Sequence, residues 1–83
     1  MYYVYILLLS NKKLYTGFTT NLKRRIKEHK KGKSSFTKNY LPLKLIFYEV
    51  FNNKMDAKKR ERYFKTSKGK SSLRAMLKNT LKQ

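Results

Sequence analysis

Only four carboxylates, Glu28, Glu49, Asp56 and Glu61, stand against 22 lysines and arginines, so each can be weighed singly. Asp56 falls near the expected start of a helix, where first-turn amides and the macrodipole favour an acid without any further role. Glu28 has Arg24 four residues before it, Arg25 three before it and Lys31 three after it, which are helix-surface pairing distances. Glu49 lies in a strand pattern and could face either way. Glu61 differs. It follows Ala57 by four residues and precedes Phe64 by three, so it shares their core-facing stripe, flanked by Lys58, Lys59, Arg60, Arg62 and Lys65. A carboxylate on an apolar stripe must be paired or must bind something. A half-buried salt bridge to an arginine is one reading and a hard divalent cation is the other.

A second constellation precedes it. Asn21, Arg25 and His29 are spaced four apart, which places them along one side of a helix beside Leu22 and Ile26. An arginine there suits bidentate phosphate recognition, and the only histidine lies one turn away. The plainer alternative is a solvated basic face that ends in a histidine. Tyr2, Tyr3, Tyr5 and Tyr15 crowd the N-terminal region. Strand alternation puts Tyr3 and Tyr5 on one face and Tyr2, Val4 and Ile6 on the other. Gly17, directly after Tyr15-Thr16, indicates a close backbone approach or a bend.

Phosphodiester hydrolysis would use all of these. It needs charge neutralisation at the phosphate, an activated water and an oriented leaving oxygen. Glu61 could hold one Mg²⁺, or Mn²⁺ in its place, with waters completing the shell. Arg25 could stabilise the charge that develops on phosphorus, and a tyrosine or His29 could handle the proton. An ordinary phenol with a pKa near ~10 needs help from a metal or nearby cations to act as a base.

The elements that must position these residues read in the order β-β-α-β-α-α. Residues 2–9 are apolar on both parities and predict a central strand covered on both faces. Ser10 to Lys13 is turn chemistry, and residues 14–18 complete a hairpin. Thr19, Thr20 and Asn21 can each cap a helix that ends near Lys31-Gly32. Residues 32–42 form a basic loop, and residues 43–51 a third strand. A helix from about Met55 to Thr66 follows Asn52-Asn53. Lys68-Gly69-Lys70 is expected to break it, and Ser71 or Ser72 to cap a third helix with Leu73, Met76, Leu77 and Leu81 on one face.

Composition bounds the function. The 83 residues carry a formal charge of +18, with 40% hydrophobic content, no cysteine and one histidine. Disulfides, thiolate zinc sites and cysteine nucleophiles are excluded, as is any multi-histidine metal site. The charge points to nucleic acid before an acidic membrane surface. The longest apolar run, Tyr2 to Leu9, is far short of the roughly 20 residues of a membrane helix. It carries no signal-peptide pattern, so a cytoplasmic protein associated with nucleic acid is expected. Membrane-surface binding lacks a long apolar face with interfacial aromatics. An RNA-binding reading suits the composition, but no exposed aromatic sheet pattern of the RRM kind is legible.

Taken together, the motifs resemble the GIY-YIG nucleases, specifically their small stand-alone members. The first motif stands as Val4-Tyr5 within Tyr3-Val4-Tyr5-Ile6-Leu7, and the second as Tyr15-Thr16-Gly17. Residues 19–29 are similar to the family's Arg-and-His helix, residues 57–65 to its metal-ligand helix, and Ser67-Lys68-Gly69-Lys70 to the short single-domain branch. Tyr3 replaces the first glycine of the motif and Thr16 its middle isoleucine. A later asparagine of many members has only Asn79 as a poor counterpart.

The resemblance implies a single domain over 1–83, an α/β (α+β) fold with a three-stranded, largely antiparallel sheet flanked by about three helices. It implies metal-dependent cleavage of one DNA strand at a time. Tyr5 and Tyr15 match the motif tyrosines, Arg25 the phosphate-stabilising arginine, His29 a His-or-Tyr position and Glu61 the single metal ligand. Gly17, Asn21, Lys68 and Lys70 are expected at the substrate. Targeting would come from the basic surface itself, from a partner protein or from a homodimer. A non-catalytic DNA- or RNA-binding module on the same scaffold is the alternative.

Overall fold

The computed structural model describes residues 1–82. Three strands, β1 (Tyr2–Leu8), β2 (Leu14–Thr19) and β3 (Lys44–Phe51), form one antiparallel sheet in the order β2-β1-β3. Among the described residues four helices accompany it: α1 (Leu22–Lys30), α2 (Lys54–Phe64), α3 (Ser67–Met76) and the short α4 (Lys78–Leu81). The architecture is the α+β fold expected, with one helix more. Among the described residues no helix is long and apolar enough to cross a membrane.

The two-sided apolar pattern of β1 has the predicted consequence. Val4 and Ile6 pack with Ala57, Phe64, Leu73 and Leu77 of the α2–α3 layer. Tyr5, Leu7 and Leu9 pack with Ile26 of α1 and with Leu43. Each fully buried aliphatic or aromatic side chain contributes about 1.5–3 kcal/mol, so the chain divides a small core between two faces of one strand. A bulge opposite Ile6/Leu7 shifts the β3 register. It lets Ile46 and Phe47 both pack toward the α2–α3 layer.

Asn21 caps α1, its side chain accepting from the Arg24 N–H at 3.1 Å. Asn53 caps α2 in the same way through Met55 N–H at 2.8 Å. The expected break at residues 68–70 is not there. Helix α2 ends at Phe64, and Thr66 caps α3 by accepting from Gly69 N–H at 3.0 Å. Thr66 also donates to the Tyr63 carbonyl at 2.6 Å. Gly69 is helical, and a Cβ there would collide with the Tyr63 carbonyl. The glycine therefore serves helix-to-helix approach, not interruption, and Ser71 and Ser72 lie inside α3. Met76, expected on the buried face, is half exposed.

The nine residues of α1 span roughly 13 Å and cover only part of their side of the sheet. Tyr48 and Val50 of β3 are left 49% and 45% exposed. They pair across from Tyr5 and Tyr3 and so share that face. The exposed aromatic surface that the sequence did not reveal is present at this sheet edge.

Candidate active site

Tyr5 is the centre of the constellation. It lies on β1 directly across from Gly17 on β2, and a Cβ on Gly17 would collide with Cζ and Oη of its ring. The bare backbone of Gly17 therefore leaves room for the phenol to lie over β2 and reach α1. There the Tyr5 hydroxyl meets His29 Nε2 at 2.8 Å, and His29 Nδ1 meets Thr37 Oγ1 at 2.8 Å. Tyr15 completes an aromatic triangle, its ring centroid 5.4 Å from His29 and 6.5 Å from Tyr5.

Burial decides the protonation states. His29 is 0% exposed; burial, with the positive charge of Arg25 beside it, lowers its pKa to about 4. At neutral pH the ring is uncharged, so one nitrogen donates and the other accepts. Burial likewise raises Tyr5 to about 12, opposed by the nearby Arg25 guanidinium and reinforced by the charges of Tyr15 and Glu61. Burial works against the charge of Arg25, yet its hydrogen bond with Glu28 and the nearby Tyr5 hydroxyl hold its pKa above the ordinary value. The Arg25–Glu28 contact is 3.1 Å, one of the pairings anticipated for Glu28.

Glu61 stands on α2, and its charge acts on the Tyr5 hydroxyl. Its side chain is 13% exposed and lies 3.4 Å from Lys58 Nζ and 3.1 Å from Lys65 Nζ. The partners are lysines of its own helix. Among the described residues no arginine pairs with Glu61, and the neighbouring Arg60 instead grips Glu49 through two contacts of 2.8 and 3.2 Å.

The structure thus brings Tyr5, Tyr15, Gly17, Arg25 and His29 together, while Glu61 stands on α2 with Lys58 and Lys65 as its partners and acts on Tyr5 through its charge. It leaves three expected residues elsewhere. Asn21 spends its side-chain oxygen on the α1 cap. Lys68 and Lys70 are exposed on the first turn of α3, Lys70 beside Lys13, Leu14 and Arg74. Two residues of the loop between α1 and β3 were not anticipated. Thr37 is fully buried because it closes the hydrogen-bond chain through His29. Phe36 is 72% exposed and stacks on Tyr15, ring centroids 6.5 Å apart. The only sequence signal for Thr37 is a lone threonine in a lysine-rich loop, which periodicity cannot distinguish from turn chemistry.

A hairpin glycine under a buried tyrosine, bonded to a helix that carries arginine and histidine, defines a GIY-YIG domain. A model of the GIY-YIG catalytic domain matches residues 1–75, and the chain belongs to that nuclease-type family. It is 39% identical to the UPF0213 protein CPE1444 of Clostridium perfringens, covering 100% of this chain and 90% of the relative. It is 44% identical to the UPF0213 protein SpyM50708 of Streptococcus pyogenes, over 83% and 76% of the two chains. The solution structure of the UPF0213 protein BH0048 from Bacillus halodurans superposes with a TM-score of 0.59 at 35% identity, over 92% of this chain and 85% of that one.

GIY-YIG nucleases generally use a divalent metal. The donor set here fits a hard one. Among the described residues no three His, Cys, Asp or Glu side chains cluster, so Glu61 stands as a single carboxylate. A Mg²⁺ ion, which keeps most of its waters and leans on one or two carboxylates plus substrate phosphate, suits such a site. A tetrahedral zinc centre does not.

Proposed function

We propose that this chain is a divalent-metal-dependent endonuclease of one domain, 1–83, that hydrolyses DNA phosphodiester bonds one strand at a time. The observation that carries this reading is the Tyr5–His29–Thr37 hydrogen-bond chain laid across Gly17, with Arg25 on the same helix as His29. Pure affinity needs none of this order. The net charge of +18 already supplies salt-dependent binding through counterion release.

Glu61 holds the ion, Mg²⁺ with Mn²⁺ as a substitute, and the ion when bound supplies Lewis-acid polarisation of a phosphate oxygen. Arg25 stays protonated at any working pH and stabilises the charge that builds on the phosphoryl oxygens. His29 is neutral and orients the Tyr5 hydroxyl rather than acting as a free acid. Tyr5 is buried and holds its proton at neutral pH. Tyr15 is the more accessible phenol, and as the phenolate, a form that nearby cations favour, it would accept the proton of the attacking water. Gly17 borders the substrate path beneath Tyr5, while Asn21, Lys68 and Lys70, set apart from the cluster, would meet the substrate farther along. Double-strand breaks would come from two events or from a homodimer. A partner protein is the other route to targeting, and a nucleic-acid-associated cytoplasmic location suits the charge.

A second reading, a binding module without catalysis, is favoured by one observation: Lys58 and Lys65 satisfy Glu61 without an ion. A nicking assay separates the two. Supercoiled plasmid and a branched oligonucleotide are incubated with wild type and with Glu61→Gln in Mg²⁺, Mn²⁺ or EDTA. Metal-dependent cutting by wild type alone, with binding by Glu61→Gln retained or raised, supports the nuclease. Tight binding and no cutting by either protein supports the module.

A further inference from the structure

We propose that the uncovered part of the sheet beside α1 is a second nucleic-acid site, a groove that seats an unpaired strand apart from the cleavage centre. It goes beyond the reading above, because the groove would bind a strand whether or not Glu61 supports hydrolysis.

The groove encloses about 730 Å³ between α1 and the β1–β3 side of the sheet. Its floor is Tyr3, Leu45 and Tyr48, and its wall carries Lys23, Lys27 and Lys30. The helix explains the division of labour. At 3.6 residues per turn, Arg25 and Glu28 lie on one side of the buried stripe of Ile26 and His29. Lys23, Lys27 and Lys30 lie on the other. One flank of α1 therefore belongs to the tyrosine–histidine cluster, and the opposite flank presents three exposed ammonium groups to the groove.

The floor matches the wall in chemistry. Tyr3 and Tyr48 lie diagonally across β1 and β3 with ring centroids 6.3 Å apart, and Tyr48 is 49% exposed. No acidic side chain is among the groove's lining residues. An apolar protein segment would leave three ammonium groups with nothing to pair. A duplex hides its base faces. A single strand offers both complements at once, bases to stack on the tyrosines and phosphates for the lysines.

The test uses the full chain in EDTA with the Glu61→Gln substitution, so binding is read without cleavage. Fluorescence anisotropy measures a labelled dT12, the equivalent rU12 and a 12-base-pair duplex. Tyr48→Ala is expected to weaken dT12 binding about tenfold, as loss of one stacked base does, with the duplex little changed and Tyr48→Phe close to the parent. Replacing Lys23, Lys27 and Lys30 together by Gln should weaken dT12 binding more than replacing the exposed Lys54, Lys59 and Lys78, which removes the same charge elsewhere. The rU12 arm tells whether the groove takes RNA as well as DNA. Unchanged dT12 affinity in Tyr48→Ala, or equal losses in the two lysine triples, overturns the proposal. Neither result bears on whether the wild type cuts, so the groove and the nuclease can fail separately.

Discussion

The ring of Tyr5 lies over Gly17, its cross-strand partner, and the space it fills is the space a Cβ on residue 17 would need. The second motif's glycine is thus one half of a packing pair whose other half is the first motif's tyrosine. Gly17→Ala should cost about 1–3 kcal/mol, the range of overpacked sites, and should stop cleavage by moving the Tyr5 hydroxyl off His29. Thermal melts with a nicking assay check it. On a Tyr5→Ala background the added methyl should cost almost nothing further, because neighbours that share a space do not add.

His29 makes stability depend on pH. Its pKa is about 4 in the fold and near ~6.5 in the unfolded chain. Between those values the unfolded chain binds the proton that the folded chain refuses, so acidification favours unfolding. The contribution is intact above pH ~6.5 and shrinks as pH falls, by up to roughly 3 kcal/mol near pH 4. Urea midpoints from pH 7 to 5 should fall for wild type more steeply than for His29→Gln. Because the chain has one histidine, NMR titration of its ring reads the same shift directly.

Tyr5→Phe and Tyr15→Phe should both fold, and at least one should be nearly inactive. Wild-type cutting rates in both would remove the tyrosines from the mechanism. Arg25→Ala should lower turnover more than DNA affinity, since one charge among 22 matters little to binding and much at a single phosphate. Single-turnover rates beside filter-binding affinities separate the two effects.

Glu61 is already paired with Lys58 and Lys65, so the fold does not need an ion to neutralise it. EDTA should therefore abolish cutting while moving the melting temperature by less than about 1 °C, unlike a domain folded around its metal. A drop of several degrees would mean that the ion is structural.

Much of this was legible in the residues. The two-sided apolar run of β1, the capping segments 19–21 and 52–53 and the stripe of Ala57, Glu61 and Phe64 follow from periodicity and capping chemistry alone, and only tertiary context selects Asn21 and Asn53 as the caps. Gly69 misled because glycine reads as a breaker, whereas here its missing side chain admits the Tyr63 carbonyl. That is a tertiary contact no local rule contains. Thr37 was invisible for a related reason, since its partner, His29, lies eight residues away across an irregular loop. Tyr48 looked like any strand aromatic until the short α1 was seen to leave it uncovered.

Tyr3 and Tyr5 alternate with Val4 on the same face of one central strand, two residues or roughly 7 Å apart along it. One looks into the groove and the other into the tyrosine–histidine cluster. A pleated strand hydrogen-bonded on both edges does not stretch, so whatever rests on Tyr3 is held at a set remove from Tyr5. In such a molecule β1 is a ruler: the offset between where a strand is gripped and where it is cut would be written in the rise of the backbone, independent of base sequence.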